Sequence, residues 1–447
     1  MIERLATAFA QGNAHSRDLV DGCLARIAAP DGEGSRAFVH VDADRARAAA
    51  GWADQMRDHG CVPSPLAGVP IAVKDLFDVA GEVTTAGSRI LADRPAARQD
   101  ALAVARLRAA GAVLIGRTNM TEFAYSGVGL NPHHDTPRNP HGRDRGLIPG
   151  GSTSGGAVAV ADGMAVAALG TDTGGSCRIP AALCGLVGFK PTASRVPLQG
   201  AIPLSGSFDS VGPIGHSVRC CAIVDAILAA EPVEAMVEMS CAGLRLGILR
   251  DYALEDLDED VASIFESGLA RLAAAGVRFE DVAFPELHEI AEIGRNGGIV
   301  AAEAFAWHQP HLDSRGEEYD PRVRARIEMG RGQSASEYLH ALECRRWLIE
   351  RARSVTAPFD ALVLPTVPIL APTVDALRAD DALFARVNRL LLRNPTIANF
   401  LDRCSVSLPC QLPGESPVGL MLIGEHGADR HLLALASAVE AALVVHA

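Results

Sequence analysis

The chain has 447 residues and carries 54 acidic against 41 basic side chains, for a formal charge of −13, and 48% of it is hydrophobic. That apolar fraction supplies a sizeable core and excludes disorder along the whole chain. The acidic excess argues against a nucleic-acid binder, whose affinity comes from Lys and Arg on phosphates, and against docking on an anionic membrane surface.

Residues 1–60 read as helical. Leu19, Val20, Cys23, Leu24 and Ile27 form a helix-period stripe, with Ser16 before it as the expected N-cap, and the Ala-rich run 43–57 predicts a second helix. From Gly68 strands and helices alternate. A strand at 69–73 ends at Lys74, a helix at 100–110 is closed by Gly111, and a buried strand follows at 112–115. A helix at 157–163 precedes a strand at 165–169, and a helix at 263–275 precedes a strand at 277–279. Strands at 359–365 and 417–424 and a helix at 432–443 close the series. This alternation predicts an α/β fold in which a sheet is covered by helices on both faces. Residues 286–358 are richer in charge and helix formers and read as a peripheral helical layer. No clean linker and no repeat occurs, so one large domain over 1–447 is expected.

Residues 1–10 carry no long apolar run, so no signal peptide is expected, and no stretch reaches the roughly 18 apolar residues of a spanning helix. The ten cysteines contain no C-x-x-C pair, and Cys220 and Cys221 are adjacent. That suits small buried residues in a reducing cytoplasm better than a disulfide framework or a zinc site.

Two loops carry the chemistry. One reads Pro149-Gly150-Gly151-Ser152-Thr153-Ser154-Gly155-Gly156, the other Gly170-Thr171-Asp172-Thr173-Gly174-Gly175-Ser176. Paired glycines let a backbone bring its N–H groups close to a ligand, and a serine at the end of such a loop offers a nucleophile beside those donors. A serine nucleophile needs a base. Neither loop holds a histidine and no G-x-S-x-G elbow surrounds either serine, so the base is sought in Lys74, whose place at the end of an apolar strand would lower its pKa. Each feature also has a plain reading: a loop, a solvated strand cap, an ion pair of Lys74 with Asp75. A G-x-x-x-x-G-K-[ST] phosphate loop is absent.

Taken together, residues 69–75, 150–156 and 172–176 resemble the amidase signature family of Ser–Ser–Lys hydrolases. The 24-residue interval from Ser152 to Ser176 matches that family's spacing, and 116–123, 178–192 and 417–424 extend the likeness. The resemblance implies a mixed central sheet in a single domain, with an N-terminal helical segment at 1–60, a signature core at 61–219, and a variable helical layer and pocket wall at 240–400. It implies that Ser176 attacks the acyl carbon, that Ser152, after a cis Gly151–Ser152 bond, bridges to Lys74, and that Lys74 is the ultimate base. The backbone N–H groups of Thr173, Gly174, Gly175 and Ser176 would hold the oxyanion. Ser154 and Arg178 would order the surroundings, and Ala124, Tyr125, Gly127 and Gly151 would line the acyl side. Trp307, Tyr319, Tyr338 and Phe400 are candidate walls on the leaving-group side, although core or surface is the favoured reading of each. No metal or organic cofactor is called for.

The resemblance implies a cytoplasmic amidohydrolase for small neutral aryl or alkyl amides, with a small-molecule amide or carbamate as partner and a homodimer left open. A carbamate-ester hydrolase (urethanase), aryl-acylamidase or esterase on the same residues is the first alternative. The glutamine-hydrolysing chain of a tRNA-dependent amidotransferase, its A subunit, is the second. It is disfavoured by Ile179 after Arg178, where that chain usually has Gln, and by the run 365–372. An inactive binding scaffold is the third, disfavoured because all three positions are filled.

Overall fold

Eleven strands form one mixed sheet in the computed structural model, which describes residues 1–443. In chain order they are β1 (Phe38–His40), β2 (Pro70–Lys74), β3 (Val113–Thr118), β4 (Ala167–Thr171), β5 (Val187–Lys190), β6 (Val211–Gly215), β7 (Arg245–Leu249), β8 (Arg278–Val282), β9 (Ala361–Pro365), β10 (Ser405–Pro409) and β11 (Gly419–Ile423). Across the sheet the order is β1-β3-β2-β4-β6-β5-β10-β11-β9-β7-β8. Two parallel blocks, β3-β2-β4 and β9-β7-β8, are joined by antiparallel strands between them.

β2 shows why the centre of the sheet forms where it does. Pro70 opens it, where a missing N–H is tolerated, and every residue of the strand is buried. A near-continuous apolar run is what a strand covered on both faces requires. One face packs against the helix Ser154–Ala161 through Ala72, Ala168, Val158 and Val160. The other buries Ile71, Val73 and Leu169 against Leu76, Phe77 and Val104. The helix Ser154–Ala161 has glycine at its second position for a steric reason. A Cβ on Gly155 would lie 2.3 Å from the Ala37 carbonyl oxygen and 2.7 Å from that of Asn119.

The expected helical layer is present as His288–Gly294, Gly298–Arg315, Pro321–Glu328 and Ala335–Thr356, followed by the long helix Asp381–Phe400. Ser16 departs from expectation. It is the first helical residue, with His15 at the N-cap, and its Oγ donates to the Gly68 carbonyl, fastening the helix to the approach of β2. Cys220 and Cys221 are buried in the helix Val218–Leu228. Among the described residues no helix is long and apolar enough to cross a membrane.

Candidate active site

Lys74 ends β2 and Thr171 ends the parallel neighbour β4, so both side chains stand at the same edge of the sheet. Lys74 Nζ donates to Ser152 Oγ at 2.7 Å and to Thr171 Oγ1 at 3.0 Å. Lys74 and Ser152 are fully buried and Ser176 is 3% exposed. Lys74 and Ser152 are thus brought together although they stand 78 residues apart in the chain. Burial pulls the Lys74 ammonium down to about 8, against the pull of Asp172 and Asp209 upward. Asp75, the alternative partner, turns away to Arg117 at 2.7 Å.

The Gly151–Ser152 bond is cis. Thr153 N–H donates to the Ser176 carbonyl at 3.3 Å, which ties the two serine loops together. Among the described residues no hydrogen bond joins Ser176 Oγ to Ser152 Oγ, so in this geometry only the Lys74–Ser152 contact is closed.

Asp172 organises the second loop. Its carboxylate accepts from Gly175 N–H at 2.9 Å, Cys177 N–H at 3.1 Å and Asn399 Nδ2 at 2.9 Å, and it pairs with Arg178. Burial would push this carboxyl up, but the Arg178 guanidinium and the Asn399 amide hold it well below the usual carboxylate range. Arg178 is fully buried and also reaches the Pro395 carbonyl at 2.9 Å and Asn399 Oδ1 at 2.6 Å. Gly175 adopts φ +124°, and a Cβ there would lie 2.6 Å from Pro395 Cβ, so the turn admits only glycine.

Two expectations change. The Gly175 N–H is already given to Asp172, which leaves Thr173, Gly174 and Ser176, whose N–H groups have no protein acceptor among the described residues. Ser154 Oγ is buried with no hydrogen-bond partner, so it does not tune the hydrogen bonds around Ser152. Asp209 adds a second anchor to the Ser176 loop, accepting from Thr173 Oγ1 at 2.5 Å, and is raised by burial to about 6.

Phe123 and Ala124 both have positive φ, +50° and +59°, uncommon for residues with a Cβ, and they turn the chain so that Tyr125 is buried. Ser126 Oγ and Gly127 N–H donate to Asn388 Oδ1 at 3.1 and 2.9 Å, and the Gly127 carbonyl accepts from Gly151 N–H at 2.9 Å. A Cβ on Gly127 would lie 3.3 Å from the Leu392 side chain, which also lies 3.5 Å from the Cβ position of Gly174. Residues 125–127 therefore run beside both serine loops. Arg326 lies over the Tyr125 ring, Cζ 4.3 Å from its centroid. The four candidate aromatic walls are engaged in packing, the favoured reading: Tyr319 bonds to His308, Trp307 packs on Phe123, Phe400 meets Phe208, and Tyr338 donates to Glu303.

Sequence reasoning did not assign Asp172, Thr171, Asp209, Asn399 or Arg326. Asp172 had a signal, a lone carboxylate inside a glycine-rich loop six residues before an arginine. Asn399 and Arg326 had none, because long-range packing alone brings them here.

The amidase family model matches residues 18–433. A 2-amino-5-chloromuconic acid deaminase from Comamonas testosteroni is 36% identical over 91% of this chain and 88% of its own length. The A subunit of a glutamyl-tRNA(Gln) amidotransferase from Roseiflexus sp. (strain RS-1) is 34% identical over 97% of this chain and 94% of its own. A solved amidase structure superposes with a TM-score of 0.88 at 33% identity, covering 98% of both chains. With a whole-length family match and such relatives, this chain belongs to the amidase family, whose members hydrolyse C–N bonds.

Proposed function

We propose that this chain is a cytoplasmic amidohydrolase for small linear amides that works through an acyl-enzyme on Ser176. The observation that carries the reading is the 2.7 Å contact of a fully buried Lys74, its pKa pulled down by burial, with Ser152, beside a loop that presents Ser176. Neutral Lys74 takes the Ser152 proton as Ser152 takes that of Ser176, and Ser176 Oγ bonds to the acyl carbon. The N–H groups of Thr173, Gly174 and Ser176 take the charge that develops on the carbonyl oxygen. The proton then returns through Ser152 to the leaving nitrogen as the C–N bond breaks. Water repeats the sequence and frees the acid. The open Ser176–Ser152 link is compatible with this cycle, since such contacts often tighten only around substrate.

Carbamate esters, anilides and esters use the same bonds and remain alternatives on this machinery. The deaminase and the amidotransferase chain are both named for reactions other than simple amide hydrolysis. The substrate is therefore left at the level of a small molecule with a scissile acyl–N bond. The amidotransferase reading lacks the Gln that usually follows Arg178; glutaminase activity appearing only with an added partner protein would restore it. The test is hydrolysis of aliphatic amides, p-nitroanilides and aryl carbamates by the wild type and by Ser176→Ala, with fluorophosphonate labelling of Ser176 read by mass spectrometry. Unlabelled Ser176, or turnover surviving its removal, would overturn the reading.

A further inference from the structure

Of the 41 lysine and arginine side chains in this sequence only two are lysines, Lys74 and Lys190, and both are buried. Every other cation of this kind is an arginine, so the chain keeps an amine at just two places, both inside the fold. One of them is the base of the proposed relay. What a lysine can do there and an arginine cannot is lose its proton, since a guanidinium stays charged in proteins.

Lys190 ends β5 opposite Ser405 of β10 in antiparallel register. Side chains alternate along a strand. Phe189 packs with Val406 and Leu408 on one face. Gly188 and Lys190 take the other face, where a Cβ on Gly188 would lie 2.5 Å from the Cys177 carbonyl oxygen. Ser405 Oγ, across from Lys190, accepts from Arg178 Nη1 at 3.4 Å. The amine therefore stands behind the Asp172–Arg178 pair that holds the Ser176 loop. Its one hydrogen bond among the described residues runs from Nζ to the Pro191 carbonyl at 2.7 Å, and no carboxylate there lies within salt-bridge distance of it.

The titratable groups that face Lys190 are Arg178, Asp172, Asp402 and Cys404. β6, its other neighbour in the sheet, has no titratable side chain. Both Asp172 oxygens already accept from Arg178, from Asn399 and from the N–H groups of Gly175 and Cys177. Asp402 accepts from Ala193 N–H at 3.3 Å and faces His426 at 3.2 Å. Burial pushes the Cys404 thiol up, which keeps it neutral. An ammonium at this place would find no uncommitted anion and would stand against the Arg178 guanidinium. Burial, with Arg178 adding to it, pulls Lys190 down to about 8.

We propose that Lys190 is a positioning residue that must be a free amine for the Asp172–Arg178 pair to hold the Ser176 loop in its working shape. This rests on the amidohydrolase reading and deepens it. Two amines then lose a proton before the site works. Lys74 does so to accept the serine proton, and Lys190 to leave Arg178 as the one cation acting on Asp172.

With only two lysines, protein carrying 13C at lysine Cε gives two signals, which Lys190→Met assigns and NMR titrates directly. Lys190 is expected to lose its proton near pH 8, well below the ordinary 10.5. In a plot of log kcat/KM against pH, the acid limb is expected to approach a slope of about two in the wild type and about one in Lys190→Met, with the plateau kept within about threefold. A packing role alone would lower the plateau and leave the slope. Lys190→Arg, a cation that cannot discharge, is expected to lower the plateau by about tenfold or more. A Lys190 signal titrating near 10.5, a wild-type slope of one, a slope of two that survives in Lys190→Met, a plateau lost in that variant, or full activity in Lys190→Arg overturns the proposal. If Lys190→Arg does not fold, the Met variant decides. The titration needs no turnover, so a Lys190 titrating near pH 8 in a protein that hydrolyses no amide would instead count against the amidohydrolase reading.

Discussion

Asp172 and Arg178 form a bidentate ion pair with neither side chain exposed, Oδ1 to Nη2 at 2.8 Å and Oδ2 to Nε at 3.0 Å. Removing one member leaves the other charge buried without its partner, which costs about 3–5 kcal/mol, whereas replacing both by apolar residues is often close to neutral. Arg178→Met is therefore expected to lose about that much stability in urea unfolding, and Asp172→Leu/Arg178→Met to recover a large part of it. A single substitution costing under about 1 kcal/mol would mean that the pair is not what holds the loop.

Lys74 and Ser152 act as a unit in the proposed relay, so their substitutions should not add. Ser176→Ala is expected to remove acyl-enzyme formation altogether. Lys74→Ala and Ser152→Ala are each expected to lower kcat by about 10²–10⁴. The double variant should be no slower than the slower single one. Multiplicative losses in steady-state kinetics would show that the two residues work independently.

The base must be neutral to accept a proton, so activity should rise with pH and level off. With the Lys74 ammonium near 8, the midpoint of kcat/KM is expected near pH 8, and the ordinary lysine value of 10.5 would leave the profile still climbing at about pH 9. A midpoint near the histidine value that persists in Lys74→Ala would place the base elsewhere.

Gly151 offers a steric test. A Cβ there would sit 2.7 Å from Gly129 N and 2.8 Å from its Cα, both backbone atoms that cannot yield as a side chain can. Gly151→Ala is expected to cost about 1–3 kcal/mol in thermal unfolding and to slow turnover by displacing Ser152. Gly206, where an added Cβ meets nothing within 4 Å, is the matched control and should change stability by less than about 0.5 kcal/mol.

Much of the sheet was legible. The expected strands at 69–73, 112–115, 165–169, 359–365 and 417–424 correspond to β2, β3, β4, β9 and β11, because buried β-branched and Leu-rich runs bounded by Gly or Pro have few other uses. β1, β5, β6, β7 and β10 escaped. Three residues are too few to show a period, and Val211–Gly215 contains two glycines and a proline. The site followed the same division. Lys74, Ser152 and Ser176 lie in runs whose composition is itself unusual. Asn399, Asp209 and Arg326 are ordinary polar residues of helices and loops, and only packing gives them a neighbour. Ser154 misled because a serine in the right loop still points where the helix start sends it.

The shell around Arg178 has a temporal consequence. It is drawn from Pro395, Asn399, Ser405 and Met421, the last of these 243 residues downstream. At about 5–20 residues per second, a ribosome needs roughly 10–50 s to deliver Met421 after Arg178 has been made. Throughout that interval the newborn polypeptide has Asp172 to pair with Arg178 but none of the four later partners, so the clamp on the Gly170–Ser176 loop is finished only as translation nears its close.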